Sequence, residues 1–154
     1  MAGAKFSLAR IDPSLVDLVG KTDKKTLAVW AIDCAKRVLP YFEEKYPEDP
    51  RPRNALAALR TWIKTGEFSM ADIRKASLDA HAAAREVGED NPARSAARAA
   101  GQAIATAHVP GHSLGAAQYA LQAVYRANIP SRAEAAVARE RDWQYRRLIK
   151  LRNG

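Results

Sequence analysis

The sequence has few of the features that define several large classes of proteins. It contains a single cysteine, Cys34, so an internal disulfide is excluded and a reducing compartment is the natural environment. No apolar run approaches the roughly 18 residues that a membrane-spanning helix needs. Residues 1–14 lack the hydrophobic segment of a secretory signal. These absences predict a cytoplasmic protein without a membrane segment.

Signatures of catalysis and of cofactor binding are also scarce. There is no glycine-rich phosphate loop, and a predicted helix rather than a strand precedes Ser113, which argues against a nucleophile elbow. Pro110 separates His108 from His112, so the helical spacing of a zinc-binding histidine pair is not expected. Cys34 shares a helical face with apolar residues, which predicts a buried, unreactive thiol. We therefore expect no catalytic, cofactor or metal site, and a protein that is not an enzyme.

The apolar residues indicate an all-α fold. They recur at helical spacing, and no window shows the alternation of a half-buried strand. We predict one domain at residues 23–152, a bundle of about six helices stacked as antiparallel hairpins, after an irregular arm at residues 1–22. Residues 91–127 are especially rich in alanine and read as two helices joined by a break at 109–112. Small side chains allow close packing, so this pair is predicted to form the inner layer.

Cap residues and helix breakers mark the predicted helix ends. Ser, Thr, Asp and Asn accept hydrogen bonds from the first free N–H groups of a helix, and glycine is favoured just after its last turn. Pro40 is expected to kink the first long helix. At the central break we expect His108 to end one helix and His112 or Ser113 to cap the next. The remaining signals are Thr22 or Asp23, Ser69 with Asp72, Asn91 with Pro92, Ser131 with Glu134, and the stops Gly66 and Gly88.

The chain is basic, with a formal net charge of +8, and the surplus is concentrated near the C-terminus. From residue 126 onwards the sequence has eight basic residues and three acidic ones. One interpretation is a solvated surface helix without a binding role, whose arginine stems cover apolar surface. Alternatively, the helix meets nucleic acid or an acidic protein surface. In the latter case aromatic and basic side chains would concentrate the binding energy, and the candidates are Arg139, Trp143, Tyr145, Arg146 and Lys150.

Much of the chain, about residues 24–150, resembles a known family. The most recognisable pieces are Trp30-Ala31 with Asp33-Cys34-Ala35, Val38-Leu39-Pro40, Asp79-Ala80-His81-Ala82-Ala83-Ala84, and Ala107-His108-Val109 followed by Gly111-His112-Ser113-Leu114-Gly115-Ala116. They are similar to the immunity proteins of bacterial toxin–immunity systems, in the type-five-like immunity domain family. The resemblance implies an all-helical cytoplasmic protein that neutralises a toxin by binding it. It also suggests that Asp33, His81, His108 and His112 meet at one polar spot between helices.

Three functions follow from these observations. The first is an immunity protein that blocks a protein toxin by direct contact. The second is a basic helical protein that associates with nucleic acid, which would lose binding steeply as salt rises. The third is a small-molecule or metal-binding domain that uses His81, His108 and His112. Inhibitors of nucleases are often acidic, so the basic charge of this chain favours an acidic toxin surface or a target other than a nuclease.

Overall fold

The computed structural model describes residues 5–67 and 69–154, and within them all regular structure is helical. Seven helices follow one another along the described chain, and the sequence-based expectation of about six is corrected to that number. Their bounds are α1 Pro13–Gly20, α2 Lys24–Glu43, α3 Arg51–Thr65, α4 Met70–Glu86, α5 Pro92–Ala105, α6 His112–Arg126 and α7 Pro130–Asn153. No helix among the described residues is long and apolar enough to cross a membrane.

The additional helix, α1, lies in the segment that was predicted to be an irregular arm. Asp12 caps it by accepting a hydrogen bond from the Ser14 N–H, and Leu15 and Val19 are buried. The residues before α1 are held by Gln118 of α6, whose side-chain amide donates to the carbonyls of Leu8 (2.9 Å) and Arg10 (3.2 Å). Because backbone carbonyls need partners when they pack against protein, these bonds fix the path of the arm.

The alanine-rich helix α5 lies at the centre, as the sequence predicts. It contacts α2, α3, α4 and α6, and most of its side chains are buried. Alanine leaves little between the helix axis and its neighbours, so four helices can pack round one. α6 lies beside α5 and also contacts α2 and α7. The larger core side chains, including Trp30, Phe42 and Leu56, come from the surrounding helices and fill the spaces that the alanines leave.

Most of the predicted helix ends are confirmed. Asp23, Ser69 and Asn91 each accept a hydrogen bond from a backbone N–H in the first turn of α2, α4 and α5. Gly66 follows α3 with φ of 72°, and Gly88 follows α4 with φ of 80°. At these positive φ values a side chain would be strained, which is why glycine is favoured there.

Two predicted caps are wrong. α7 begins at Pro130 rather than after Ser131, so Ile129 is its N-cap residue and no side-chain cap bond forms. Proline at the first helical position has its φ already set and no N–H to satisfy, which moves the start before Ser131. Gly111, not His112 or Ser113, precedes α6, and Ser113 instead donates its hydroxyl to the Pro110 carbonyl at 2.8 Å. The end of α5 also falls at Ala105, before His108.

Candidate functional site

A basic groove runs between α2 and α7. It is open to solvent and has a volume of about 500 Å³. Five of its lining side chains are basic, one is acidic and one is aromatic. The lining residues are Asp33, Lys36 and Arg37 of α2, and Trp143, Arg146, Arg147 and Lys150 of α7.

Ion pairs organise the side chains of this groove. Arg147 Nε donates to Asp33 Oδ2 at 2.8 Å across the floor. Arg37 donates to both carboxylate oxygens of Glu140, at 2.6 Å and 3.0 Å, and this bidentate pairing raises the pKa of Arg37. The same guanidinium lies over the Trp143 ring, with its carbon 3.9 Å from the ring centroid. One face of the indole is therefore covered by a cation rather than presented to solvent.

The structure brings three of the five predicted partner-binding residues into this groove. Trp143, Arg146 and Lys150 line it, whereas Arg139 and Tyr145 do not. Tyr145 is exposed on another face of α7. It lies two positions after Trp143, and residues two positions apart point in different directions on a helix. The sequence analysis missed the α2 side of the groove, Lys36 and Arg37. Their spacing of three and four residues from Asp33 was the available signal.

Asp33 and the three histidines, which the resemblance suggests form one polar spot, are not brought together. Asp33 belongs to the groove and pairs with Arg147. His81 lies on α4, and α2 and α4 each contact α5. The three histidines are linked by two electrostatic interactions, one between His81 and His112 and one between His112 and His108. They therefore form a separate polar region at α4, α5 and the start of α6.

His81 packs directly against the backbone of α5. A β-carbon built on Gly101 would lie 2.7 Å from His81 Nε2, so only glycine leaves room for the ring. His81 Nδ1 is buried and has no hydrogen-bond partner among the described residues. Burial, with the positive charges of Arg98 and Arg85 and the neighbouring His112, lowers the pKa of His81 to about 4. The ring is therefore neutral at physiological pH.

A second glycine contact positions His112. Gln102 lies over Gly115, where an added β-carbon would be 2.5 Å from the Gln102 Oε1. That oxygen lies 2.8 Å from His112 Nδ1, which is hydrogen-bond distance. Burial lowers the pKa of His112, and the charge of His108 adds to this effect. The two glycines thus leave room for two polar side chains to contact neighbouring helices closely.

Among the residues that the structure describes, the histidine region holds no group arranged for a metal ion, and its serine has no neighbouring base as hydrogen-bond partner. No group of three or more His, Cys, Asp or Glu side chains in the described parts of the chain is arranged to hold a metal ion. Residues 111–115 do read G-H-S-L-G, which matches the nucleophile-elbow pattern in letters. However, Ser113 is buried in the first turn of α6, follows a helix, and donates to the Pro110 carbonyl rather than to a base.

Cys34 is not a reactive group of the groove, although Asp33 precedes it. Its side chain is completely buried, as the sequence predicts. Burial raises the pKa of the thiol well above its ordinary value, and the negative charges of Asp33 and Glu140 act in the same direction. Because the thiolate is the nucleophilic form, this cysteine is inert in the folded protein.

Comparison with known proteins identifies a family. The model described as "Imm-5 like putative immunity protein" matches residues 17–151, which is most of the chain. No protein of curated function and no solved structure matches significantly. The family match covers α2 to α6 completely and nearly all of α7, so it includes both the groove and the histidine region. The chain therefore belongs to the Imm-5 like immunity protein family.

Proposed function

We propose that the protein neutralises a toxin by binding it, and that the groove between α2 and α7 receives an acidic segment of that toxin. Family membership supports the immunity role. We choose this surface because of the charge of the groove, which is lined by five basic side chains and one tryptophan.

Not all of that charge is neutralised within the protein. Arg147 pairs with Asp33, Arg37 with Glu140, and Arg146 with Asp142. Lys36 and Lys150 have no carboxylate within ion-pair distance in the described part of the chain. Both are exposed, so their ammonium groups are available to a partner. Complementary charge increases association rates and excludes partners of the same charge, which are properties an inhibitor needs.

The Arg37–Trp143 pair supplies a preorganised contact in the groove. The bidentate bonds to Glu140 hold the guanidinium, and the guanidinium holds the indole from one side. Arginine and tryptophan are enriched among the residues that carry most of the binding energy at interfaces. Because these side chains are already ordered, less conformational entropy is lost when a partner binds.

The first experiment captures the partner with tagged protein from the native lysate and compares two charge-reversal variants. Lys36→Glu with Lys150→Glu changes the groove. Arg132→Glu with Arg139→Glu is the matched control, since both residues are exposed on α7, do not line the groove, and give the same change in net charge. The captured protein is then identified, expressed alone in a bacterial host, and co-expressed with each form of the chain.

The proposal expects one captured protein that arrests growth by itself and is neutralised by the wild-type chain and by the control. The groove variant should fail to neutralise it and should bind it at least tenfold more weakly, about 1.4 kcal/mol. Equal neutralisation by both variants would exclude the groove as the binding surface. Recovery of nucleic acid alone, lost as salt rises, would instead favour the second function and overturn the immunity proposal.

A further inference from the structure

Three arginines lie on a second polar face, formed by α5 and α6 with the end of α4, away from the groove. Arg94 and Arg98 are one helical turn apart on α5, and Arg126 is in the last turn of α6. The side chains of Arg94 and Arg126 are only 21% and 22% exposed. The sequence analysis did not identify this cluster, because Arg126 joins the other two only through the packing of α6 against α5.

Two of the arginines are partly fixed by the protein. Arg94 Nε donates to the Ala84 carbonyl at 3.1 Å, and its Nη1 donates to Asp90 at 2.9 Å. Arg126 Nη1 donates to Ser95 Oγ at 3.0 Å, and Ser95 in turn donates to Gln122. These bonds use only some of the five N–H donors of each guanidinium. The two groups are thus held in place while several of their donors remain available.

Arg98 differs from its neighbours. No hydrogen bond or ion pair joins its side chain to another of the described residues, although its charge acts on both Arg126 and His81. A guanidinium cannot lose its proton at physiological pH, so it cannot relieve repulsion by becoming neutral. Burial lowers the pKa of Arg126, and the nearby Arg94 and Arg98 charges lower it further despite the opposing effect of Asp90. The face therefore carries positive charge that the protein leaves uncompensated.

Among the residues that the structure describes, Asp90 is the carboxylate that forms ion pairs with this cluster, and two arginines share it. Its Oδ1 lies 2.9 Å from Arg94 and 3.6 Å from Arg126, and its side chain is 72% exposed. The charge of Arg94 also acts on Glu89, which is paired with Lys45. Three guanidinium groups with one shared ion-pair partner therefore leave an excess of positive charges. A dianionic phosphate would balance them, and its oxygens match the planar fork of arginine donors.

We propose that Arg94, Arg98 and Arg126 form a binding site for a phosphate group on the outer face of α5 and α6. Arg98 supplies the principal contact, since its donors are free. Arg126 and Arg94 complete the site, with Ser95 and Asp90 fixing their orientation. The site is independent of toxin binding at the groove, so either proposal can fail without the other.

Isothermal titration calorimetry with inorganic phosphate tests this site. Sulfate, acetate and chloride are titrated in parallel at equal ionic strength and pH 7. Arg98→Gln removes the principal contact, and Arg139→Gln is the control, because it removes one exposed arginine outside the cluster. Arg98→Lys keeps the charge but not the fork, and serves as the second variant if Arg98→Gln unfolds.

The expected result is saturable binding of phosphate and sulfate with one site per chain, and much weaker binding of acetate and chloride. Arg98→Gln should reduce phosphate affinity at least tenfold, Arg98→Lys should be intermediate, and Arg139→Gln should behave as wild type. Equal affinity in Arg98→Gln and wild type would overturn the site. Acetate binding as tight as phosphate would overturn its assignment to a dianion.

Discussion

His81 Nε2 occupies the space that a side chain at position 101 would need, since a β-carbon on Gly101 would lie 2.7 Å from it. The ring carbons beside that nitrogen would both be 2.9 Å away. The Gly101 carbonyl also accepts a hydrogen bond from Ser77 at 2.9 Å, so α4 and α5 meet closely at this point. Glycine in the middle of a helix is unfavourable by itself, and here the contact with His81 explains its presence.

Gly101→Ala should destabilise the protein by about 1–2 kcal/mol. Overpacking a core contact costs roughly 1–3 kcal/mol, and the better helix propensity of alanine offsets up to about 1 kcal/mol. Chemical denaturation of the single variants and of the double variant with His81→Ala measures this coupling. In the His81→Ala background the same substitution should be neutral or stabilising.

Gly20→Ala is the control for this prediction. A β-carbon at Gly20 would meet no atom within 4 Å, and that glycine also lies in a helix. We expect little change or a slight gain in stability. If Gly101→Ala costs the same with and without the His81 ring, the close contact is not what requires glycine at position 101.

The starts of helices could be predicted from the sequence where a single capping residue determines them. Asp23, Ser69 and Asn91 each have a side chain that reaches the first turn, and the structure confirms all three caps. The rule failed at Ser131, where two start signals compete and proline one residue earlier sets the helix start. Asp12 was missed because α1 is short and its apolar pattern is brief.

The site was less predictable, because tertiary packing decides which side chains meet. The basic stripe of α7 was visible from charge alone, but Lys36 and Arg37 reach the groove only because α2 packs beside α7. Asp33 was grouped with the histidines on the strength of the resemblance. Asp33 lies on α2 and His81 on α4, each of which contacts α5, and periodicity within single helices does not show which helices pack together.

Stability should fall as the pH is lowered from about 6.5 towards 4. The pKa of His81 is lowered from its ordinary value of 6.5 to about 4 in the folded protein, so the unfolded chain binds a proton first. The contribution of the neutral ring is complete above pH 6.5 and is lost as the pH falls through that window. Solvent screening of a partly exposed ring limits the loss to about 1 kcal/mol.

Urea denaturation at pH 7.5, 6, 5 and 4 measures this dependence, with His81→Leu as the comparison. Leucine cannot titrate, so the variant should lose less stability over the same range. His112 contributes in the same direction, since its pKa is also lowered, and some dependence should therefore remain. An identical pH profile for the variant and the wild type would show that His81 titrates normally in the folded protein.

Gln144 places a polar side chain in the core, and only part of its amide group is hydrogen-bonded. The side chain is completely buried between α7 and α6, where its Nε2 donates to the Ala117 carbonyl at 3.0 Å. Its own backbone carbonyl accepts from Trp30 Nε1 at 2.8 Å, which joins α2 to the same point. The side-chain oxygen, Oε1, has no partner among the described residues. An unpartnered buried oxygen is tolerated when neutral but not when charged.

Gln144→Glu and Gln144→Met separate these effects because both replacements are close to glutamine in size. Glutamate would carry a charge into a site with no donor for it, so we expect a loss of more than about 3 kcal/mol at pH 7. Methionine removes both the hydrogen bond and the unpartnered oxygen, so its loss should stay below about 1.5 kcal/mol. Burial would raise the pKa of the new carboxyl, and the glutamate variant should therefore recover stability relative to methionine as the pH falls towards 5. Denaturation midpoints of the two variants at pH 7 and pH 5 provide the measurement, and a constant difference between them would mean that residue 144 is solvated in the folded protein.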